Sequence, residues 1–339
     1  MAKNKYHFIS SFEDIDITSW ENLIENTSKH SVYQTRSIYD FWKSQDNCNP
    51  YVFGIKSDTN LLALCVVVIQ SNGSGLKEYF SRRAIIYGGP IINSESNKNE
   101  VFDFLLKEMN KFLGSKAIYG EFRNTHSYLE LDSVFNNNNY KYIPYQNFKI
   151  ALTDEDAIFS NFTSEKRRQI RRSFKEGVEI SYKNSEQNIK GVYDIINNIY
   201  IERVKKPLPE FSFFNELANS NFGSVVALKY ENKIIGGGFL VYDKYTVYDW
   251  YRGGLDREYK HQYPSTLAAW AAMKFGLLNN HKEFDFMGAG IRGEDYGVRN
   301  FKAQFGGDLV EHGRYNITFN STMLKIAKTG LAIVNKIKK

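Results

Sequence analysis

The chain has 339 residues, which suits two domains of ordinary size, and 42% of them are apolar, including 23 Tyr and 25 Phe. This content supports packed cores and excludes a disordered protein. The 44 basic and 38 acidic residues leave a net charge of +6, too mild for a dedicated DNA-binding protein but compatible with phosphates, tRNA or an anionic membrane surface.

The cysteines and the N-terminus indicate the cellular compartment. Cys48 and Cys65 lack metal-ligand spacing, and Cys65 lies in the apolar run 61–69, so both read as free thiols in a reducing environment. The first ten residues contain no apolar signal core, and no apolar run is long enough to span a membrane. We therefore expect a cytoplasmic protein without a metal site.

Hydrophobic periodicity predicts alternating helices and strands along the first half of the chain. The predicted helices cover residues 17–26, 37–43 and 99–113. The predicted strands cover residues 51–55, 61–70, 84–86 and 117–122, the first two of which form a hairpin. One extended stretch, 140–152, closes this half.

The second half repeats this order, beginning with a strongly basic helix at 164–176 that Gly177 ends. Further helices are predicted at 187–204 and 264–278. Strands are predicted at 178–182, 225–230, 234–241, 245–251, 284–287 and 309–319. The order predicts an α+β fold of mixed, mostly antiparallel sheets flanked by helices. Acidic residues 154–156 mark a surface connection, so we predict domains at 1–153 and 154–320 and a basic amphipathic helix at 321–339.

The basic helix is the first candidate for function. Five cations fall within residues 166–172, and Arg167 and Arg171 lie one helical turn apart, as do Arg168 and Arg172. Such a cluster fits an anionic partner, because the guanidinium fork matches phosphate oxygens. The alternative is a solvated helix surface with counterions.

The second candidate is the stretch from Tyr248 to Thr266, where an aromatic strand leads through a loop into a helix start. Backbone N–H groups at a helix start can hold an anion or polarise a carbonyl group. Tyr251, Tyr263 and Ser265 are the substrate-binding candidates in this stretch. Core packing of the aromatic residues and ordinary capping by Ser265 are the alternatives.

The third candidate is a buried strand that runs into the glycine-bearing loop 288–290, followed by residues 296–307, which present Lys302 on a short turn. The Gly-x-Gly piece lacks the third glycine and the strand-to-helix setting of a dinucleotide site. The chain also lacks a Walker A sequence, metal-ligand spacing and a nucleophile elbow. These absences argue against nucleotide-dependent, metal-dependent and hydrolase chemistry.

Together these segments resemble the Fem family, which adds amino acids to peptidoglycan precursors from aminoacyl-tRNA, and the related GNAT acyltransferases of envelope polysaccharide synthesis. Four pieces carry the resemblance: the basic helix before Gly177-Val178, the strand 236–239 with its three glycines, Tyr263-Pro264-Ser265, and Asp285-Phe286 with the run 301–306 (Phe-Lys-Ala-Gln-Phe-Gly). The resemblance covers residues 160–315 well and the first half more loosely. It implies two tandem GNAT-like domains.

The resemblance also implies an activity and the role of Lys302, and the other residue roles are our own hypotheses. We expect transfer of an aminoacyl or acyl group to an amine of a cell-envelope precursor, with Lys302 stabilising the oxyanion and Asp249 or Asp295 accepting the proton. Phosphate and substrate contacts are expected from Arg36, Arg167, Arg168, Arg171 and Phe301, besides the three residues of the aromatic strand and helix start.

We expect no bound cofactor, and a donor that is aminoacyl-tRNA or acyl-CoA. The acceptor is expected to be a nucleotide- or lipid-linked precursor, with tRNA and the inner face of the membrane as further partners and no DNA. The family's coiled-coil arm and the Arg/Gln-x-x-Gly-x-Gly/Ala loop that holds coenzyme A are both missing. The alternatives are an acyl-CoA-dependent N-acyltransferase of surface polysaccharide synthesis and a catalytically inactive GNAT-fold binding module.

Overall fold

The computed structural model describes residues 5–58, 60–327 and 329. The chain forms two compact units. The first contains the described residues up to Pro144 together with those from His312 onwards, and the second is Tyr145–Glu311.

The first unit is built on an eight-stranded sheet. Its first seven strands are β1 (His7–Ile9), β2 (Cys48–Ser57), β3 (Asn60–Gln70), β4 (Arg83–Tyr87), β5 (Ile91–Ile92), β6 (Tyr119–Arg123) and β7 (Lys141–Ile143). Its α-helices are α1 (Ile17–Glu25), α2 (Arg36–Ser44), α3 (Gly75–Tyr79), α4 (Lys98–Leu113) and α5 (Asp132–Asn137). Helix α4 buries a stripe of apolar side chains at helical spacing in the main core of this unit.

The second unit contains a seven-stranded sheet. Its strands are β8 (Gln146–Ala151), β9 (Glu179–Ser181), β10 (Gly223–Tyr230), β11 (Lys233–Tyr242), β12 (Thr246–Gly254), β13 (Glu283–Asp285) and β14 (Asp308–Glu311). Its α-helices are α6 (Glu155–Ser160), α7 (Ser164–Lys175), α8 (Glu186–Ile199), α9 (Phe211–Ala218), α10 (Pro264–Leu278) and α11 (Gly297–Ala303). Eleven of the fifteen residues of α10 are buried, so this helix is a central element of the unit's core.

The two sheets share one pattern of strands. With the last strand of the chain labelled β15 (Arg314–Thr318), the orders are β1-β2-β3-β4-β6-β15-β7 and β9-β10-β11-β12-β13-β8-β14. In each sheet the fourth and fifth strands are parallel, and the other neighbours in the order are antiparallel. The repeat is structural, because no internal repeat is visible in the sequence.

The sixth strand of each sheet comes from the other half of the chain. The stretches 140–152 and 309–319, each predicted as one extended segment, are divided between the two sheets. Pro144 lacks an N–H for a continuous ladder. Gly313 has φ 66°, and a Cβ there would lie 2.0 Å from the Tyr142 ring, so only glycine fits the second break. The units therefore divide after residues 144 and 311, where the sequence predicted boundaries after 153 and 320.

The predicted fold class is confirmed: both units combine mixed, mostly antiparallel sheets with flanking helices. Helices α3, α5, α6 and α9 were missed, and α11 was expected only as a short turn. Of the predicted C-terminal helix at 321–339, residues 321–327 are helical and the remainder lies almost entirely outside the described residues. Within the described ranges, every helix is too short or too polar to cross a lipid bilayer.

Candidate active site

The parallel strands β12 and β13 create an opening in the sheet of the second unit. They pair only from Thr246↔Glu283 to Tyr248↔Asp285, where β13 ends, while β12 continues to Gly254. Beyond Tyr248, β12 has no paired strand among the described residues on the edge that faced β13. The chain turns away after β13 through Met287 and Gly288, with φ values of 58° and 111°. The candidate residues of β12 and α11 lie around this divergence.

Lys302 lies on α11 and is only 7% exposed. Its Nζ donates to the carbonyl oxygens of Phe286 and Gly288, at 2.6 and 2.5 Å, directly after β13. Burial lowers the pKa of Lys302 to about 8, while the Asp249 carboxylate opposes the shift. An ammonium has three N–H groups, so one remains after these two bonds. At neutral pH the site therefore contains a poorly hydrated positive charge with an unused donor.

Asp249 and Arg252 form a buried ion pair on β12, with Asp249 Oδ2 2.8 Å from Arg252 Nη1. Residues three apart on a regular strand point to opposite faces. Here the register shifts between Phe239 and Leu240, so that Trp250 is an extra residue on β12 and the two charges meet on one side. Asp249 Oδ1 is buried without a hydrogen-bond partner in the described structure, which leaves it available for a substrate proton.

Two cations besides Lys302 lie close to the ring of Phe301. The Lys166 Nζ lies 4.4 Å and the Arg252 guanidinium carbon 5.4 Å from the centre of its ring. Arg252 is also 5.4 Å from the ring of Phe286. Sequence reasoning assigned no role to Arg252 and placed Lys166 only in the anion-binding cluster of the basic helix, because neither the bulge in β12 nor the orientation of α7 can be read from residue spacing.

Tyr251, predicted to bind substrate, lies next to the bulge among aromatic residues. Its ring centre is 5.0 Å from that of Phe214 and 6.2 Å from that of Tyr200, which begins a π-helical turn after α8. Tyr251 is half-buried, so both predicted roles, pocket lining and core packing, remain compatible with its position.

A buried carboxylate fixes the loop that accepts the bonds from Lys302. Asp285 Oδ1 accepts hydrogen bonds from Met287 N and the Asn147 amide, at 2.6 and 2.5 Å, and Asn147 Oδ1 accepts from Gly288 N at 2.8 Å. Complete burial raises the pKa of Asp285, although Lys149 opposes this shift. Asp295, the second predicted proton acceptor, is exposed. The structure thus buries Asp249 near Lys302 but leaves Asp295 in solvent.

The start of α10 differs from the predicted anion site. Pro264 has no N–H, Ser265 N donates to Asp256 Oδ1 at 3.0 Å, and Thr266 N donates to Tyr263 O at 3.0 Å. The Ser265 hydroxyl also donates to Asp256. The expectation of unsatisfied N–H groups at this helix start is therefore wrong for its first turn, because a side chain nine residues earlier satisfies Ser265.

The predicted phosphate-binding arginines have different surroundings. Arg167 Nη1 donates to the carbonyl oxygens of Ser160 and Phe162, at 2.8 and 2.5 Å, a contact that ties α7 to the preceding turn. Arg168 and Arg171 are exposed on α7. Arg36, in the first unit, lies 3.5 Å from Asp40 and stacks 5.7 Å from the Phe12 ring. Of the four, Arg168 and Arg171 are the exposed cations of the basic helix.

Comparison with known proteins supplies the family of the second unit. Residues 160–302 match the family described as Acetyltransferase (GNAT) domain. No curated protein matches the chain. Among the described residues, no cluster of His, Cys, Asp or Glu is arranged to hold a metal ion.

Solved structures extend the similarity to both units. FemX is similar with a TM-score of 0.71 at 12% identity, covering 94% of this chain and 99% of that one. A tandem GNAT protein from the clavulanic acid biosynthesis pathway has a TM-score of 0.61 at 8% sequence identity, and the match covers 93% of this chain and 99% of that one. A third similar structure is the C-terminal domain of a putative lysylphosphatidylglycerol synthetase from Agrobacterium fabrum. Its TM-score is 0.58 at 12% sequence identity, and the match covers 94% of this chain and 95% of that one. Residues 160–302 of the second unit thus match the acetyltransferase (GNAT) domain family, and the whole chain has a tandem fold similar to those of FemX and the tandem GNAT protein.

Proposed function

We propose that the second unit transfers an acyl or aminoacyl group from an ester or thioester donor to an amine of a cell-envelope precursor. The observation that carries this proposal is the buried Lys302 ammonium, with one N–H unused, beside the divergence of β12 and β13. A buried ammonium next to an opening is suited to a reaction that develops negative charge on a carbonyl oxygen.

The proposed reaction uses Lys302 and Asp249 in separate roles. The amine lone pair attacks the donor carbonyl carbon, and the carbonyl oxygen becomes an oxyanion, which the remaining Lys302 N–H stabilises. Asp249 Oδ1 accepts the amine proton and returns it to the leaving oxygen or sulfur as the tetrahedral intermediate collapses. Arg252 holds Asp249 in place through their ion pair. The products are an amide and the protonated carrier.

The positive charge of α7 and the similar proteins together support one class of acceptor. Arg168 and Arg171 present positive charge on α7, which fits the phosphates of a nucleotide- or lipid-linked precursor. FemX resembles the chain over nearly its whole length, and another relative is named for an aminoacylated lipid. We therefore favour an amine on a phosphate-linked envelope precursor, such as a peptidoglycan peptide or an amino sugar, over a free small-molecule amine.

Radiolabelled transfer with the full-length protein tests this proposal. Labelled aminoacyl-tRNA and acetyl-CoA are each offered with amino-sugar and peptide acceptors, and the variants Lys302→Met and Asp249→Asn are compared with the wild type. Oxyanion-hole deletions remove about 3–4 kcal/mol of transition-state stabilisation, so Lys302→Met should lower kcat by about a hundredfold or more. The dissociation constant of the acceptor should change little.

Lys190→Met is the matched control, because Lys190 is an exposed lysine of the same unit that forms a surface ion pair with Asp194 one turn away. Its kcat should equal that of the wild type. Unchanged kcat in Lys302→Met would exclude the oxyanion role. Acceptor binding without consumption of any donor would instead identify an inactive binding module.

A further inference from the structure

The first turn of α10 has no N–H group left for an anionic ligand. Pro264 lacks one, Ser265 N is bonded to Asp256, and Thr266 N and Leu267 N both donate to Tyr263 O at 3.0 Å. A helix start carries partial positive charge and is a ready anion site. In this chain the Asp256 carboxylate takes that position.

The end of β12 packs against the same N–H group. A Cβ on Gly254, at the end of β12, would lie 2.5 Å from Ser265 N, so the strand backbone packs directly against this donor. On the other side, Lys166 Nζ donates to Thr266 Oγ1 and Gln169 Oε1, both at 3.1 Å. Burial lowers the pKa of Lys166, and the carboxylates of Glu165 and Asp256 oppose the shift. The nearest buried cation thus already has protein partners.

The contacts at the start of α10 indicate which acyl donor the protein can use. The matched family is an acetyltransferase family, which suggests acyl-CoA. Acyl-CoA carries a diphosphate, and the loop 255–263 contains no glycine whose backbone could wrap around one. The residues present at this helix start do not fit a diphosphate, because the acceptor of the Ser265 N–H is a carboxylate of the same unit.

We propose that Asp256 is a specificity-determining residue that excludes donors anchored by a diphosphate at α10, so that acyl-CoA is not the acyl donor. This inference rests on the proposed acyl transfer and narrows its donor class. The acyl group then arrives on a carrier whose phosphates make no contact with the start of α10. The carboxylate acts by occupying the Ser265 N–H and by repelling a second anion.

Calorimetric titration of the full-length protein with coenzyme A, and separately with inorganic pyrophosphate, tests the inference without requiring turnover. The wild type should bind both only weakly, with dissociation constants in the millimolar range or above. Asp256→Ala releases the Ser265 N–H and removes the negative charge, and it should strengthen pyrophosphate binding by about fivefold or more. Asp256→Asn retains an oxygen acceptor without the charge and should show a smaller gain.

The matched control is Asp16→Ala. Asp16 caps α1 in the same way, accepting from Ser19 N and Ser19 Oγ at 2.7 Å each, but it belongs to the first unit. Its loss should destabilise a helix without strengthening pyrophosphate binding. If Asp256→Ala does not fold, the Asn variant is decisive.

Two binding results would overturn the inference. One is micromolar binding of coenzyme A by the wild type, and the other is a folded Asp256 variant with no gain in pyrophosphate affinity. Transfer from acetyl-CoA by the wild type would likewise refute the role of Asp256 while leaving the acyltransferase intact. Failure of every donor would refute the proposed function and leave the binding result standing.

Discussion

Lys302→Met should change how the stability of the protein depends on pH. A pKa that falls from 10.5 to about 8 corresponds to about 3 kcal/mol in favour of the neutral amine in the folded state. The unfolded chain then holds this proton at pH values where the folded chain has released it. Stability therefore rises with pH between about 8 and 10.5 in the wild type, and this contribution is missing from the variant.

The magnitude can be measured over a narrow pH range. Between pH 7 and pH 9 the free energy of unfolding of the wild type should increase relative to Lys302→Met by about 1 kcal/mol, and by about 2–3 kcal/mol at pH 10. Urea denaturation of both proteins at each pH gives the difference. Comparison within one pH cancels the titration of all other groups that the substitution leaves unchanged.

The variant also leaves the carbonyl oxygens of Phe286 and Gly288 without their donor, which costs stability at every pH. That penalty lowers the free energy of unfolding of the variant by the same amount at every pH, so it does not change the slope of stability against pH. Lys190→Met, which removes an exposed lysine, should show no such slope. A constant difference between wild type and Lys302→Met from pH 7 to pH 10 would refute the assignment of a desolvated ammonium.

Two further substitutions, each with a control substitution, test the fold and the role of the basic helix. Gly313→Ala should lower the free energy of unfolding by more than about 2 kcal/mol, since its Cβ would meet the Tyr142 ring at 2.0 Å. Gly177→Ala, with φ 89° and no atom within 4 Å, should cost only about 1–2 kcal/mol in urea denaturation of both variants. Arg171→Glu should raise the dissociation constant of a nucleotide-linked amino sugar by about tenfold at low salt, whereas Lys233→Glu, at the start of β11, should not. Equal effects of the two charge reversals would indicate a solvated helix surface.

Sequence periodicity predicted the elements that bury a continuous apolar face. Helices α4 and α10 and the hairpin of β2 and β3 belong to this group, because each pattern reflects packing within the element itself. Helix α11 was underestimated because it is short and follows a loop of exposed residues. Lys302 was identified through the resemblance to the Fem family, and nothing in its spacing would have distinguished it from a surface lysine.

The features that sequence reasoning missed depend on contacts between distant parts of the chain. The bulge at Trp250, which brings Arg252 to Asp249, depends on the register against β11. The bond from Ser265 to Asp256 joins residues nine apart through the conformation of a loop. The stretches 140–152 and 309–319 each divide into two strands that belong to different sheets. Alternation of apolar and polar residues predicts a strand but does not specify which neighbouring strand it pairs with.

The return of β15 to the first sheet, after the whole second unit, limits how the protein can be divided into fragments. No single cut in the backbone yields two fragments that each retain a complete set of strands. A fragment ending at residue 144 leaves β6 and β7 with bare edges where β15 belongs, and the remaining piece carries β15 without its sheet. Bare edges of this kind recruit other chains, so separately expressed halves should aggregate, whereas their co-expression should restore a soluble pair.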